Sequence, residues 1–587
     1  MQFIYSRLLV VCLLILVPKL GLGLSLQVKI YGIDKKLEQS IRADLHLQQA
    51  ISEAKVTPAR IRNLYDLSEQ QITETLQAKG YYNAHIKSDL STQQDNWLAS
   101  FTINPGKPAT IAAVHISAIG AGKDDARIQK FLTAPALKIG SIATQEDYEH
   151  TKEKLLTEFN SKGYLQATFA ENQMAVDKEK NSVNIKFIIN TGVLYVFGKI
   201  NFIDSIYPDA LLVRYLPFHA GEAYDLDKLM QFQSNLEQSD LFSKIRFDPI
   251  TNFDNPNDLL VPINVRLTPK PRNRYTGSIG YGTDTGVRGS LGWLHRRVNT
   301  PGHRVLAYIS TSKILRTAKL NYIIPGKQAA TDNYIVGTSV QEEYVKDLYS
   351  RKGEVYVTNV IKRGNLESLY GLNFFTETFH LTAKTKKQNK KYLLPNAKWI
   401  WINSNEKDEF DYGTRFDFRI RGGLKNALSS TNVLQADGGV KQIWPLVTRT
   451  RLVMRSNVGS VFSKKFATVP PSLRFFAGGD ESIRGFAYNS IGPREIKGDP
   501  NSDNLGGKYL FTASGEVEHK LYDQLSGVLF LDAGNASMNF GGPLAMGSGF
   551  GVRYKTPIGN FRVDLAKPLN TVKNKHWRLH ITFGTDF

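Results

Sequence analysis

Cysteine is nearly missing. The 587 residues hold one, Cys12, inside the N-terminal apolar stretch. If that stretch is removed on export, the mature chain has no thiol, which excludes disulfides, thiolate catalysis and cysteine metal sites. Long apolar runs are missing too: after Gly23 none approaches the roughly 18 residues that a membrane helix needs. The mean hydropathy of −0.28 resembles that of a soluble protein. A membrane β-barrel escapes that test, because only alternate residues of its strands face lipid. Catalytic signatures are absent as well. There is no His-Glu-x-x-His, no Gly-x-Ser-x-Gly and no Gly-x-x-x-x-Gly-Lys-Ser/Thr. Ser482, the one hydroxyl beside a conspicuous arginine, has no base near it in the chain. The chain reads as a non-enzyme with no cofactor and no metal site.

Acidic residues are in short supply: 54 stand against 74 lysines and arginines, a net charge of +20. The charge is +18 once Arg7 and Lys19 are removed with the N-terminal segment. Such a balance suits a polyanionic neighbour. For an exported chain, lipopolysaccharide phosphates or anionic phospholipids fit better than nucleic acid; a plainly solvated basic surface fits equally well. Export is read from residues 1–23. Arg7 precedes the apolar run Leu8 to Val17, then come Pro18 and the small-residue stretch Gly21-Leu22-Gly23, the layout of a signal peptide.

What is present begins with a repeat. From Leu24 to Lys270 one pattern recurs three times at a period of roughly 80 residues, within the domain size range. Its marker is a turn that ends a helix and enters a strand: Lys79-Gly80-Tyr81-Tyr82, then Lys162-Gly163-Tyr164-Leu165, then Ser239-Asp240-Leu241-Phe242. An amphipathic helix precedes each marker; in the second copy Tyr148, Leu155, Leu156 and Phe159 recur at helical spacing. Closing strands follow at Trp97 to Ile103, Val183 to Ile189 and Leu259 to Leu267. Opening strands stand at Leu26 to Ile30, Ile111 to Ile116 and Val196 to Phe202. The order is strand, helix, helix, strand, strand. Units of this kind, at 24–104, 105–191 and 192–270, resemble the POTRA (polypeptide-transport-associated) domain. Their sheet edges can pair with an incoming extended chain, or the units serve only as spacers.

After Pro269-Lys270-Pro271, residues 271–587 alternate apolar and polar between turn residues, enough for about 16 antiparallel strands of a membrane barrel. In Tyr509 to Lys520 the residues Tyr509, Phe511, Ala513 and Val517 share one face, with Thr512, Ser514, Glu516, Glu518 and Lys520 opposite. Further on, Leu529 and Leu531 face out while Asp532 faces in. The last strand runs to Phe587, with Trp577, Leu579, Ile581 and Phe583 on the same face as that terminal aromatic. Tight turns are expected at Asn299 to Gly302, Pro325-Gly326 and Thr556 to Gly559, and a lysine-rich hairpin, Lys384 to Lys391, at the other rim. The first barrel strand, Asn273 to Thr283, holds Gly277, Gly280 and Gly282, and its closing partner holds Gly584. Glycine weakens strand pairing, so this closure is the expected weak seam.

One stretch breaks the alternation. Ser472 to Pro493 is long and glycine-punctuated, with Arg484-Gly485-Phe486 at its centre and Phe475, Phe476 and Tyr488 around it. Loops of this length are functional or disordered, and the aromatics argue for order. A guanidinium drawn into a barrel lumen needs a carboxylate. Asp532 and Glu518 lie on inward registers of neighbouring strands; Glu516 shares their face and is not separated from Glu518 by sequence.

With Gly506-Gly507-Lys508-Tyr509, Phe530 to Asn535, Gly549-Phe550-Gly551 and Thr556 to Leu565, this loop resembles the Omp85 superfamily. The three repeats resemble its TamA-like branch. The resemblance implies an α+β POTRA array followed by an all-β outer-membrane barrel. It implies a loop docked through Arg484, Gly485 and Phe486 on Asp532 and Glu518, and a lateral seam at Gly277, Gly280, Gly282, Gly584 and Phe587. It also implies a factor that inserts or translocates unfolded outer-membrane proteins such as autotransporters. Its partners would be a TamB-like inner-membrane-anchored protein spanning the periplasm, outer-membrane lipid and lipopolysaccharide, with lipid transport as a second cargo. A two-partner secretion transporter is the first alternative, although two repeats and a plug helix are expected there. A passive channel or receptor needs no repeats, and a core essential insertase is expected to carry five. A Pro-x-x-Gly turn expected near Asn405 to Gly413 is not recognisable.

Overall fold

The computed structural model describes residues 25–587 except 53–55, 94–95, 134–136, 256, 405–411, 498, 500–501, 557–558, 571–575 and 585–587. The expected signal segment, the region of the unrecognised turn and Phe587 therefore lie outside the described residues. The chain divides into two compact units. One is the chain up to Ile200 with Phe218–Leu229 and Pro249–Ile263; the other is Asn201–Pro217, Met230–Asp248 and Asn264–Phe587.

Three small sheets follow the repeat. The first holds β1 (Ser25–Tyr31), β2 (His85–Gln93) and β3 (Asn96–Asn104) in the order β1-β3-β2. The second holds β4 (Thr110–Ile119), β5 (Thr168–Asp177) and β6 (Ser182–Asn190) as β4-β6-β5. The third holds β7 (Val196–Ile203), β8 (Phe242–Pro249) and β9 (Leu260–Pro269) as β7-β9-β8. The last strand of each repeat is thus central, and in the first two repeats it runs parallel to the first strand and antiparallel to the second. Helices pack on one face. In the first repeat Ile61, Ile72 and Leu76 of the helix Pro58–Ala78 meet Trp97, Ala99 and Phe101 of β3. In the second, Tyr148, Leu155 and Phe159 of Gln145–Ser161 meet Val183, Ile185 and Phe187 of β6.

The marker turn has a backbone cause. Gly80 and Gly163 end their helices with φ of +93° and +96°, and a Cβ on either would come within 2.8 Å of a backbone oxygen. In the third repeat Asp240 takes that left-handed conformation, at φ +60°. Its carboxylate accepts Lys270 Nζ at 2.5 Å, Arg296 Nη2 at 3.0 Å and Arg274 Nη1 at 3.2 Å. The departure from glycine gives the repeat a charged anchor on the start of the barrel.

The barrel is closed and antiparallel, with sixteen strands in sequence order. They are β10 (Asn273–Gly282), β11 (Gly286–His295), β12 (Arg304–Thr311), β13 (Leu315–Pro325), β14 (Asp332–Val345) and β15 (Leu348–Arg363). Next come β16 (Leu366–His380), β17 (Gln388–Ser404), β18 (Gly413–Gly423), β19 (Val433–Val447) and β20 (Thr450–Phe462). The last five are β21 (Tyr509–Lys520), β22 (Leu525–Ser537), β23 (Ala545–Thr556), β24 (Gly559–Pro568) and β25 (Arg578–Gly584). Outward positions are apolar and exposed, as at Val357, Leu372, Phe511, Leu529 and Phe550. The turns at Gly302 and Pro325-Gly326 lie at the end where β10 begins. Leu211 packs on Gly302, and Arg214 donates to the Pro325 carbonyl at 2.6 Å. Among the described residues no helix is long and apolar enough to cross a membrane.

Candidate functional site: the inward loop and the seam

The chain between β20 and β21 folds into the lumen and builds its own core. Leu473, Phe475, Ala477, Ile483 and Phe486 are buried with the wall residues Phe375, Tyr392, Val461 and Ala536. Short backbone bridges, Phe475 to Gly507 and Ala477 to Ile491, hold the loop to itself. Gly478, Gly479 and Gly485 have φ of +103°, +106° and +91°, the left-handed region that glycine adopts without strain.

Arg484 is 1% exposed. Its Nε donates to Asp532 Oδ2 and its Nη2 to Asp532 Oδ1, both at 2.7 Å, a bidentate fork. Its backbone N–H also donates to Asp532 Oδ2 at 3.0 Å. Nη2 further reaches Glu516 Oε1 at 3.1 Å and Ser514 Oγ at 3.2 Å, and Nη1 reaches Asp564 Oδ2 at 3.3 Å. The guanidinium lies 3.4 Å from the centre of the Phe530 ring. Two wall arginines complete the cluster: Arg455 pairs Glu516 at 2.6 Å, and Arg553 reaches Asp564 and Glu516. Three guanidiniums therefore face three carboxylates, and among the described residues Asp532 is the one whose only cation is the loop's.

Glycines of β23 make room for this. Gly547, Gly549 and Gly551 face Asp532, Phe530 and Val528 of β22 on the lumen side. A Cβ at Gly547 would collide with the Arg484 carbonyl, and one at Gly551 with the Asp564 carboxylate. The alternation of glycine along β23 is a trough for the loop.

One expected partner is corrected. Glu518 pairs with Arg451, its register neighbour on β20, at 2.8 Å. Glu516, two residues earlier in β21, stands at the depth of Arg484. Inward parity was legible in sequence; depth along the strand was not. Asp564 and Ser514 were missed as partners, although Asp564 lies in the quoted stretch from Thr556 to Leu565.

At the seam, β10 and β25 pair at Tyr281↔Phe583 and Gly282↔Thr582 among the described residues. Thr283 N–H donates to the Ile581 carbonyl at 3.0 Å just beyond. Gly280 has a steric reason: a Cβ there would lie 2.6 Å from the Phe583 carbonyl. Gly282 would meet Thr285 Oγ1 at 2.7 Å, whereas Gly277 meets nothing closer than 3.6 Å. Gly584 ends β25.

The loop does not stay apart from this closure. Asp284, in the turn between β10 and β11, accepts the Asp480 N–H on Oδ2 at 3.0 Å and faces Arg578 of β25 at 3.4 Å. Asp480 in turn accepts Thr582 Oγ1 at 3.1 Å. Gly485 N–H donates to His580 Nε2 at 3.1 Å, which places that imidazole's proton on Nδ1. Nδ1 faces Asp284 Oδ2 across 3.8 Å. First hairpin, last strand and inward loop thus share one polar cluster. The sequence reading separated bracing by the loop from opening at the seam; the geometry joins them.

Comparison with known proteins follows the same division. Residues 315–587 match the Omp85 superfamily domain, residues 27–105 the POTRA domain of the TamA domain 1 type, and residues 109–192 the POTRA family described as a surface antigen variable number repeat. The chain is similar to the outer membrane protein assembly factor BamA of Neisseria meningitidis serogroup B, 21% identical over 88% of this chain and 72% of that one. It is also similar to BamA of Neorickettsia risticii, 19% identical over 86% and 70%. Among solved structures, BamA from Haemophilus ducreyi lacking POTRA domains 1–3 shares the fold with a TM-score of 0.64 and 16% identity, over 81% of this chain and 99% of that one.

Proposed function

From a chain that carries an Omp85 superfamily domain behind TamA-type POTRA domains, we propose an assembly factor that opens its barrel at the β10–β25 seam to template an incoming strand. At the coarser level the chain is an Omp85-type assembly and transport factor for outer-membrane proteins. It resides in the bacterial outer membrane with its POTRA domains in the periplasm. The observation that carries the finer reading is the edge of β10. Its residues from Asn273 to Gly280 have no β25 partner among the described residues, and they are predominantly exposed, Tyr275 and Ile279 above all. A strand edge beside so short a described closure offers backbone donors and acceptors to an extended segment.

In this reading unfolded exported proteins meet the POTRA sheet edges first. They then pair with β10, and burial of the folding substrate in lipid supplies the driving force, since no nucleotide is used. The TamA-type first domain favours autotransporter-like substrates and a TamB-like periplasm-spanning partner, with envelope lipid as a second cargo. The chemistry performed is non-covalent. The test is a photo-crosslinker at Ser278 or Ile279 of β10 in living cells. Capture of unfolded outer-membrane proteins is expected there, and none from the same probe at Val357 of β15. Equal capture at both positions rejects the seam.

A further inference from the structure

We infer a lipid-binding site on the outer face of β18 to β22, built for a phosphorylated glycolipid with several acyl chains, the chemistry of lipopolysaccharide. It is independent of the seam reading. Register places Phe418, Gly438, Val458, Phe511 and Asn535 in one row across these strands, and Ala436, Ser460, Tyr509 and Ser537 in the next. The row containing exposed Val458 and Phe511 is the lipid-facing one, while Asp532 and Glu516 of the opposite parity face the lumen. Small residues at 436 and 438 leave a floor between aromatic walls, and the turn after β22 adds Phe540 and Leu544. The result is a groove of about 630 Å³, within the size range of small-molecule sites. Ser460 Oγ is buried at this groove with no hydrogen-bond partner, a polar atom left for a ligand ester or hydroxyl.

Direction and charge identify the occupant. β10 rises from the third repeat, so β18, β20 and β22 end, and β19 and β21 begin, at the outer rim. The groove therefore opens on the outer leaflet. Immediately above it Asn432 clips two turns together: its side chain accepts the Lys425 N–H at 2.7 Å and its carbonyl accepts Ser463 Oγ at 2.8 Å. Exposed Lys425, Lys464 and Lys465 are thereby gathered over Leu434 and Phe462, which face each other across β19 and β20. None of the three lysines forms an ion pair among the described residues. The surrounding segments 424–434, 456–479 and 538–544 contain no aspartate or glutamate at all. Apolar walls at acyl depth under unpaired cations at headgroup depth match phosphate above and hydrocarbon below.

The test uses full-length protein extracted in mild detergent, with retained lipopolysaccharide counted per barrel by native mass spectrometry. Lys464→Glu/Lys465→Glu is expected to lower retention by about tenfold or more, each lysine near a charged lipid surface counting for about a factor of five. Ala436→Phe fills the groove from its lipid-facing floor and is expected to lower retention similarly with the lysines intact. Heat-modifiable gel mobility reports that each barrel is folded; if the charge reversal misfolds, Lys464→Gln/Lys465→Gln replaces it. Phosphatidylglycerol at equal concentration is expected not to displace the glycolipid, and Lys384→Glu/Lys386→Glu on the β16–β17 hairpin to leave retention unchanged. Wild-type retention in the folded rim or groove variants, displacement by phosphatidylglycerol, or an equal loss in the hairpin control overturns the proposal.

Discussion

Across β15 and β16, fifteen residue pairs run from Tyr349↔His380 to Arg363↔Leu366. Across β10 and β25, the described residues pair twice. The first wall is held by a continuous ladder, reinforced across it by side-chain bonds such as Ser350 to Glu377 and Asn373 to Glu354. The second is held by a few backbone bonds and by side chains that belong to three different segments: Asp284 of the first hairpin, Thr582 and His580 of the last strand, and Asp480 and Gly485 of the inward loop. A barrel closed this way can lose its closure without losing its wall. The loop is placed to sense or set that event, because its buried anchor, Arg484 on Asp532, lies a short chain length from its seam contacts.

The largest effect that sharpens the contrast is expected at the anchor. Arg484→Ala leaves Asp532 buried without a cation, and breaking such a pair costs about 3–5 kcal/mol. Limited proteolysis should cut the loop in this variant while the barrel keeps its heat-modifiable mobility. Glu518→Gln, which touches Arg451 and not Arg484, should leave the loop as protected as in wild type. Equal protection of the loop in Arg484→Ala breaks the account of the anchor.

A smaller effect is expected at Asp284. Its side chain is almost wholly buried, and Asp284→Ala leaves the Asp480 N–H without its acceptor. An unsatisfied buried donor costs about 1–3 kcal/mol. Hydrogen exchange of β10 and β25 should quicken while β15 and β16 keep their rates. A uniform change across all four strands would remove the distinction between seam and wall.

The smallest effect concerns the base of the first strand and depends on pH. Burial alone would raise the Asp240 carboxyl's pKa, but hydrogen bonds and charge from Lys270 and Arg296 outweigh it and hold the group below the usual aspartate range. A pKa lowered by folding means that the stabilisation is full above the ordinary aspartate value and fades as pH falls through the depressed one. The protection factors of β10, which are the intrinsic exchange rate at each pH divided by the observed rate, should therefore fall on acidification in wild type. Asp240→Asn should begin looser at neutral pH and lack that acid step.

Much of this was legible in the chain, for reasons tied to particular residues. Alternation reports which face a side chain takes, so Phe511 and Leu529 outside and Glu516 and Asp532 inside could be read directly. The left-handed turn after each repeat helix left Gly80 and Gly163 as markers, and Asp240 in the same place showed that the third unit differed. Alternation says nothing of depth in a lumen, which is why Glu518 and Glu516 were not separated and Asp564 was overlooked. The convergence of Asp284, Asp480 and His580 was invisible because closure of a barrel brings together residues some 300 positions apart, with no local pattern to announce it. The glycine run of β23 carried a signal whose meaning, room for the Arg484 backbone, needs the loop in place to be seen.

The central claim is that the seam opens while the rest of the wall stays shut. The absence of cysteine from residues 13–587 makes a clean test: Tyr281→Cys/Phe583→Cys places thiols at facing positions of an antiparallel pair, within the Cα separation a disulfide spans. The measurement is the rate of autotransporter assembly in cells under oxidising and then reducing conditions. The account predicts arrest when the bond is formed and recovery when it is reduced, with a matched pair at Val355 and Phe374 across β15 and β16 having no effect. Assembly at the normal rate through a locked seam would contradict it.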